Sequence, residues 1–211
     1  MTRFIITRHG QTEWNVEKRM QGQADSPLTA LGKMQADALC QRLSGLEFDA
    51  VYCSSLQRAV DTAEIVCKGR NTSIISLDSL REIAIGSWSG MLLSEVNENY
   101  PEQAHNFWKE PEAYVPMPGG ETYLQLRERA GKTMQELAER HKNQTVLVVT
   151  HGIVLKLLYN FFRYQPIADI ACNHPHPKSC CYCEVEWTDA VWHIIKWNDI
   201  THYVHITDPQ L

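Results

Sequence analysis

Two stretches of this 211-residue chain end in the same way. Phe4-Ile5-Ile6 leads into Thr7-Arg8-His9-Gly10, and Thr145-Val146-Leu147-Val148-Val149 leads into Thr150-His151-Gly152. A continuously apolar run reads as a buried strand of a parallel sheet, and each glycine reads as a sharp exit from it. His9 and His151 are therefore expected at the carboxyl ends of strands, where open α/β sheets bind their ligands. Arg8 offers a planar fork of donors that suits phosphate oxygens, and His9 offers a nitrogen that can serve as nucleophile or base. If the two strands are neighbours, both imidazoles can flank one phosphoryl group.

Two more residues suit that chemistry, although each has a plainer reading by itself. Arg58 falls in the first turn of a helix expected over 59–67, capped by Ser54 or Ser55. A cation there opposes the macrodipole by a few tenths of a kcal/mol, so Arg58 is either a solvated helix residue or the partner of a bound anion. Glu82 follows Arg81, and alone it reads as half of a surface ion pair worth under about 1 kcal/mol.

Taken together, the motifs resolve these readings. Arg8-His9-Gly10-x-Thr12-x-x-Asn15, Ser54-x-x-x-Arg58, Leu80-Arg81-Glu82-Ile83 with Gly86-x-Trp88-x-Gly90, and Thr150-His151-Gly152 resemble the histidine phosphatase superfamily, and the resemblance spans the whole chain. It implies that His9 is the nucleophile and forms a phosphohistidine. Arg8, Arg58 and His151 would neutralise the nonbridging oxygens of a phosphomonoester, which carries about two negative charges near pH 7. Glu82 would protonate the leaving alkoxide and then activate water. Asn15 would contact the phosphate or position its loop, Gln21 and Gly22 would border the site, and Gly152 would join them in binding substrate. This scheme needs neither metal nor cofactor.

The elements that must position these residues can be read along the chain. Leu31, Met34, Ala38, Leu39 and Leu43 form a helical stripe ending at Gly45, and 48–53 and 73–77 read as strands. A long amphipathic helix begins after Glu121-Thr122, with Tyr123, Leu126, Ala130, Met134 and Leu137 facing inward. A largely buried helix follows over 153–162, and 181–187 with 191–197 reads as a hairpin. The expected fold is a three-layer α/β/α sandwich with a mostly parallel central sheet and a C-terminal hairpin, forming one domain over 1–211. The segment from about 84 to 120, rich in aromatics and proline, is an expected lid with possible helices over 92–99 and 102–109.

Composition narrows the function. A net charge of −5 argues against a general nucleic-acid or anionic-membrane surface. No apolar stretch approaches the ~20 residues needed to span a bilayer, and the N-terminal apolar run is shorter than the roughly 7–15 residues of a signal-peptide core. The chain is therefore expected to be cytoplasmic. Seven cysteines, with Cys40, Cys53 and Cys67 among apolar residues, fit reduced buried thiols. Cys172, His174, His176, Cys180, Cys181 and Cys183 suggest zinc, but they lack paired Cys-x-x-Cys knuckles, so no metal site is expected.

The expected partner is a small phosphorylated metabolite, and the protein a monomer or homodimer. The favoured function is a metal-independent phosphomonoesterase. The alternatives are a cofactor-dependent phosphoglycerate mutase, a metal-independent phosphoserine phosphatase as the specific activity, and an inactive member that binds phosphorylated partners. The family's mutases use a longer, more basic insertion, whereas Lys109 is the only Lys or Arg in 91–120, against Glu95, Glu98, Glu102, Glu110 and Glu112.

Overall fold

The computed structural model describes residues 1–171 and 176–206. Its six-stranded sheet comprises β1 (Thr2–Arg8), β2 (Ala50–Ser54), β3 (Ile74–Leu77), β4 (Thr145–Thr150), β5 (Tyr182–Thr188) and β6 (Val191–Asp199), in the order β3-β2-β4-β1-β5-β6. β3, β2, β4 and β1 run parallel, β5 pairs antiparallel with β1, and β6 pairs antiparallel with β5. The helices are α1 (Glu13–Val16), α2 (Ala30–Arg42), α3 (Gln57–Val66), α4 (Leu93–Asn99), α5 (Pro101–Lys109), α6 (Tyr123–Arg140) and α7 (Gly152–Phe162).

The central strands are apolar throughout because both of their faces are covered. Phe4, Ile6, Val146 and Val148 pack with residues of α6 and α7, among them Leu126, Met134, Val154 and Leu158. Ile5, Leu147 and Val149 pack on the opposite face with Ala36 and Leu39 of α2 and Ala59 and Ala63 of α3. Full burial of each such side chain contributes about 1.5–3 kcal/mol. β1 and β4 pair in parallel with Ile6 opposite Val148 and Arg8 opposite Thr150. A slip of one residue would exchange the two faces, so the packing that stabilises the sheet also aligns the two strand ends.

Within 84–120, a 3₁₀ turn over Gly86–Trp88 precedes α4 and α5. Trp88 is fully buried, and its ring lies 5.8 Å from that of Phe107 and 5.9 Å from that of Tyr114. The aromatics of this segment thus serve largely to pack it against the body.

Three local expectations are corrected. Met34 is 40% exposed; α2 instead turns Gly32, Gln35, Ala36 and Leu39 inward. Gly32 lies so close to the preceding loop that a Cβ there would fall 2.1 Å from the Gln11 carbonyl oxygen, and this approach sets the rotation of the helix. Neither Ser54 nor Ser55 caps α3: Leu56 occupies the N-cap without a side-chain bond, and Ser54 ends β2. Cys40 is half-buried rather than buried, whereas Cys53 and Cys67 are buried.

Cys172 and His174 lie outside the described residues. Among the described residues, no group of three or more His, Cys, Asp or Glu side chains is arranged to hold a metal ion. No described helix is long and apolar enough to cross a membrane.

Candidate active site

The pairing of β1 with β4 brings the two histidine-bearing strand ends together. The His9 amide donates to the Thr150 carbonyl at 3.0 Å, and the His9 and His151 ring centroids are 5.2 Å apart. His9 Nδ1 lies 2.7 Å from the Gly10 carbonyl oxygen. A carbonyl can only accept, so Nδ1 carries the proton and Nε2 holds a lone pair. Arg58 Nε donates to that Nε2 at 3.3 Å. Burial, followed by the charges of Arg58 and Arg8, holds the His9 imidazole well below its ordinary pKa, so it is neutral at pH 7.

Arg58 enters from the first turn of α3 and is 1% exposed. Its Nη1 donates to the Ala24 carbonyl at 2.7 Å and to Asp25 Oδ1 at 2.8 Å, and its Nη2 donates to the Gly22 carbonyl at 2.7 Å. Asp25 Oδ2 also accepts from the Gln57 amide at 2.8 Å. Asp25 thus satisfies the start of α3 from another loop and offsets the cation there, so the cation that opposes the dipole already has an acid within the fold. Gly22 adopts φ +52, and a Cβ there would fall 2.5 Å from Ile85 Cγ1; these two constraints favour glycine where the chain turns to present its carbonyl to Arg58.

Arg8 Nη1 donates to the Pro177 carbonyl at 2.9 Å, while its buried Nε has no partner among the described residues. His151 is fully buried, with Nε2 in a 2.7 Å hydrogen bond with Ser54 Oγ and Nδ1 unpartnered among the described residues. Burial and then Arg58 and His9 push its pKa well below the ordinary value. Each oxygen of Glu82 accepts a main-chain amide, that of Ile83 at 3.0 Å and that of Ile153, in the first turn of α7, at 3.1 Å. The carboxyl is thereby fixed in orientation.

Arg8, His9, Arg58 and Glu82 line a cavity of about 120 Å³ together with Asn15, Gln21 and Gly22. Met20, Ile83, Ile85, Phe107 and Trp108 form its apolar wall, and Arg19, Ile153 and His176 complete it. Asn15 holds its own loop: its Oδ1 accepts from the Thr12 amide at 3.1 Å, and its amide donates to Thr12 Oγ1 at 3.3 Å. Gln21 Nε2 donates to the same hydroxyl at 2.8 Å. His151 sits behind His9 rather than on the cavity wall. Gly152 also lies off the wall, and a Cβ there would fall 2.4 Å from His176 Nε2 and 3.5 Å from Arg8 Nε.

The sequence motifs do not reveal the residues that brace this set. Arg129 donates from Nη2 to the Glu82 carbonyl at 3.0 Å, from Nη1 to the Ser79 carbonyl at 2.8 Å, and from Nε to Glu121 Oε2 at 2.9 Å. Glu121 Oε1 in turn accepts the Ala84 amide at 2.9 Å. The segment that carries Glu82 is thus gripped on both sides. The available signal was position: Arg129 lies three residues after Leu126 and so borders the inward stripe of α6.

The match to the family model described as histidine phosphatase superfamily (branch 1) covers residues 4–200. Phosphoserine phosphatase 1 of Hydrogenobacter thermophilus is 39% identical over 159 residues, 75% of each chain. The metal-independent phosphoserine phosphatase of Arabidopsis thaliana is 34% identical over 204 residues, 96% of this chain and 83% of that protein. Among solved structures, Bacillus stearothermophilus YhfR superposes with a TM-score of 0.92 at 38% identity, covering 96% of this chain and 99% of the other. A match that begins in β1, ends just after β6 and takes in every motif around the cavity makes this chain a member of the histidine phosphatase superfamily.

Proposed function

We propose that the protein is a metal-independent phosphomonoesterase that hydrolyses a small phosphorylated metabolite through a phosphohistidine on His9. The observation that carries this reading is the neutral His9 imidazole, its tautomer set by Gly10 and its Nε2 lone pair facing Arg58 in the cavity. An entering phosphoryl group competes for the Arg58 N–H and so frees that lone pair for in-line attack. Arg8 and Arg58 line the position its nonbridging oxygens would take, and His151, off the cavity wall, packs against the His9 ring.

The N–P bond forms as the ester P–O bond breaks, and Glu82 gives its proton to the leaving alkoxide. As carboxylate, Glu82 then takes a proton from the water that attacks the phosphohistidine, which releases inorganic phosphate and restores both groups. Asn15, Gln21, Gly22 and Gly152 keep the loops around the phosphoryl group in place, and segment 84–120 acts as the lid that sets substrate choice. Two of the similar proteins are named as phosphoserine phosphatases, which makes phosphoserine the first substrate to test. Hydrolysis is favoured over transfer because Lys109 is the only Lys or Arg in 91–120.

The purified protein should release phosphate from phosphoserine or phenyl phosphate and, when quenched in mid-turnover, carry base-stable, acid-labile phosphate. His9→Ala should abolish both turnover and labelling. A His9→Ala protein that still takes up acid-labile phosphate would place the nucleophile elsewhere.

A further inference from the structure

Beside the catalytic cavity lies a larger groove of about 550 Å³, which shares Arg8, Asn15 and His176 with it and is further lined by Gln11, Gln35 and Lys178. None of the residues that line the groove carries a carboxylate. Gln35 Oε1 accepts the Gln11 amide at 3.1 Å and Gln11 Oε1 accepts the Thr29 hydroxyl at 2.8 Å, which anchors both side chains, and neither NH₂ group donates a hydrogen bond among the described residues, so both have N–H donors to offer.

Lys178 is exposed, and no ion pair holds its side chain among the described residues. His176 as a residue is exposed, yet its Nε2 end is pressed against Gly152. Burial at that end and the positive charges of Arg8, Lys156 and Lys178 all lower its pKa, with no carboxylate acting in opposition.

A polar groove that offers cations and N–H donors, next to a site that takes a phosphoryl group, is built for a second negative charge. We propose that it is an anion subsite for the carboxylate or second phosphate of a substrate whose phosphoryl group lies against His9. This rests on the phosphomonoesterase reading and narrows it to doubly anionic phosphoesters.

The test compares 3-phosphoglycerate with glycerol 3-phosphate, which has the same phosphoryl arm but lacks the carboxylate, and adds a sugar bisphosphate to represent a second phosphate. Wild type should favour the doubly anionic substrates in kcat/KM. Lys178→Gln should reduce that preference roughly three- to fivefold, within the range of one exposed charge pair, and Lys178→Glu should reduce it further. Whether the carboxylate or the bisphosphate responds more strongly identifies which anion the groove takes.

A preference that is the same in wild type and both variants overturns the proposal, as does an equal loss for every substrate. Calorimetric binding of 3-phosphoglycerate and glycerol 3-phosphate to His9→Ala, with and without Lys178→Glu, gives the same comparison without turnover. It therefore decides the subsite even if the phosphatase reading fails through absence of hydrolysis of every ester.

Discussion

Two imidazoles held neutral by the fold make its stability sensitive to acid by an amount that can be worked out. His9 is 3% exposed and His151 0%, and burial followed by the Arg58 charge places both pKa values well below 6.5. The unfolded chain keeps the ordinary value near 6.5, so below that pH it takes up protons that the native state refuses. The depressed native pKa values therefore contribute stability that is present above about pH 6.5 and is lost progressively as pH falls toward them. Integrated from pH 6 to pH 5, the loss reaches at most about 1.2 kcal/mol per histidine, the limit for a ring that stays neutral in the native state throughout. Carboxylates titrate nearby, so the quantity to measure is a difference between two proteins in which they are the same. Urea unfolding at the two pH values should show wild type losing more than His9→Gln, by up to about 1.2 kcal/mol, and likewise more than His151→Gln. If wild type and His9→Gln lose the same amount, the native imidazole titrates normally. The lone pair on Nε2 would then be protonated in weak acid, and the argument for His9 as nucleophile would lose its physical basis.

Glu82→Gln should slow phosphoenzyme formation from alkyl phosphates about 10²–10⁴-fold while affecting nitrophenyl phosphate far less, because only alkoxides need a proton to leave; equal slowing in rapid-quench measurements would reduce Glu82 to a residue that shapes the site. Ser54→Ala leaves both nitrogens of the buried His151 ring without a partner among the described residues, which should cost about 1–3 kcal/mol of stability and lower kcat, as read by thermal unfolding and turnover; an unchanged kcat would show that the ring holds its place without the serine. Turnover should survive EDTA, since guanidinium and imidazole groups carry the charge neutralisation; a loss restored by zinc or magnesium would sink the metal-independent mechanism.

What could be read from the sequence and what could not divides along a physical line. The apolar runs 4–6 and 145–149 reveal their burial through their own composition, and a histidine followed by glycine at each end needs only the adjacency of the two strands to become a pair. Met34 faces outward although it lies on the apolar stripe; periodicity reports which residues lie on one face of a helix but not how that helix is rotated, and here the contact of Gly32 with the Gln11 carbonyl sets the rotation. The bracing groups were hidden for a related reason. Ser54 reaches His151 across 97 residues of chain and Arg129 reaches the Glu82 carbonyl across 47, distances over which no local pattern constrains a polar side chain.

Arg58 shows the consequence most clearly. Its unfavourable place at a helix start suggests a bound anion, but the partner built into the fold is Asp25, which also satisfies the Gln57 amide. With three Nη hydrogens bonded to Asp25 and to the carbonyls of Gly22 and Ala24, the guanidinium is fixed in orientation, and its Nε donor points at His9. The restraint that completes the charge balance of Arg58 thus also aims its Nε–H at the nitrogen proposed to attack phosphorus.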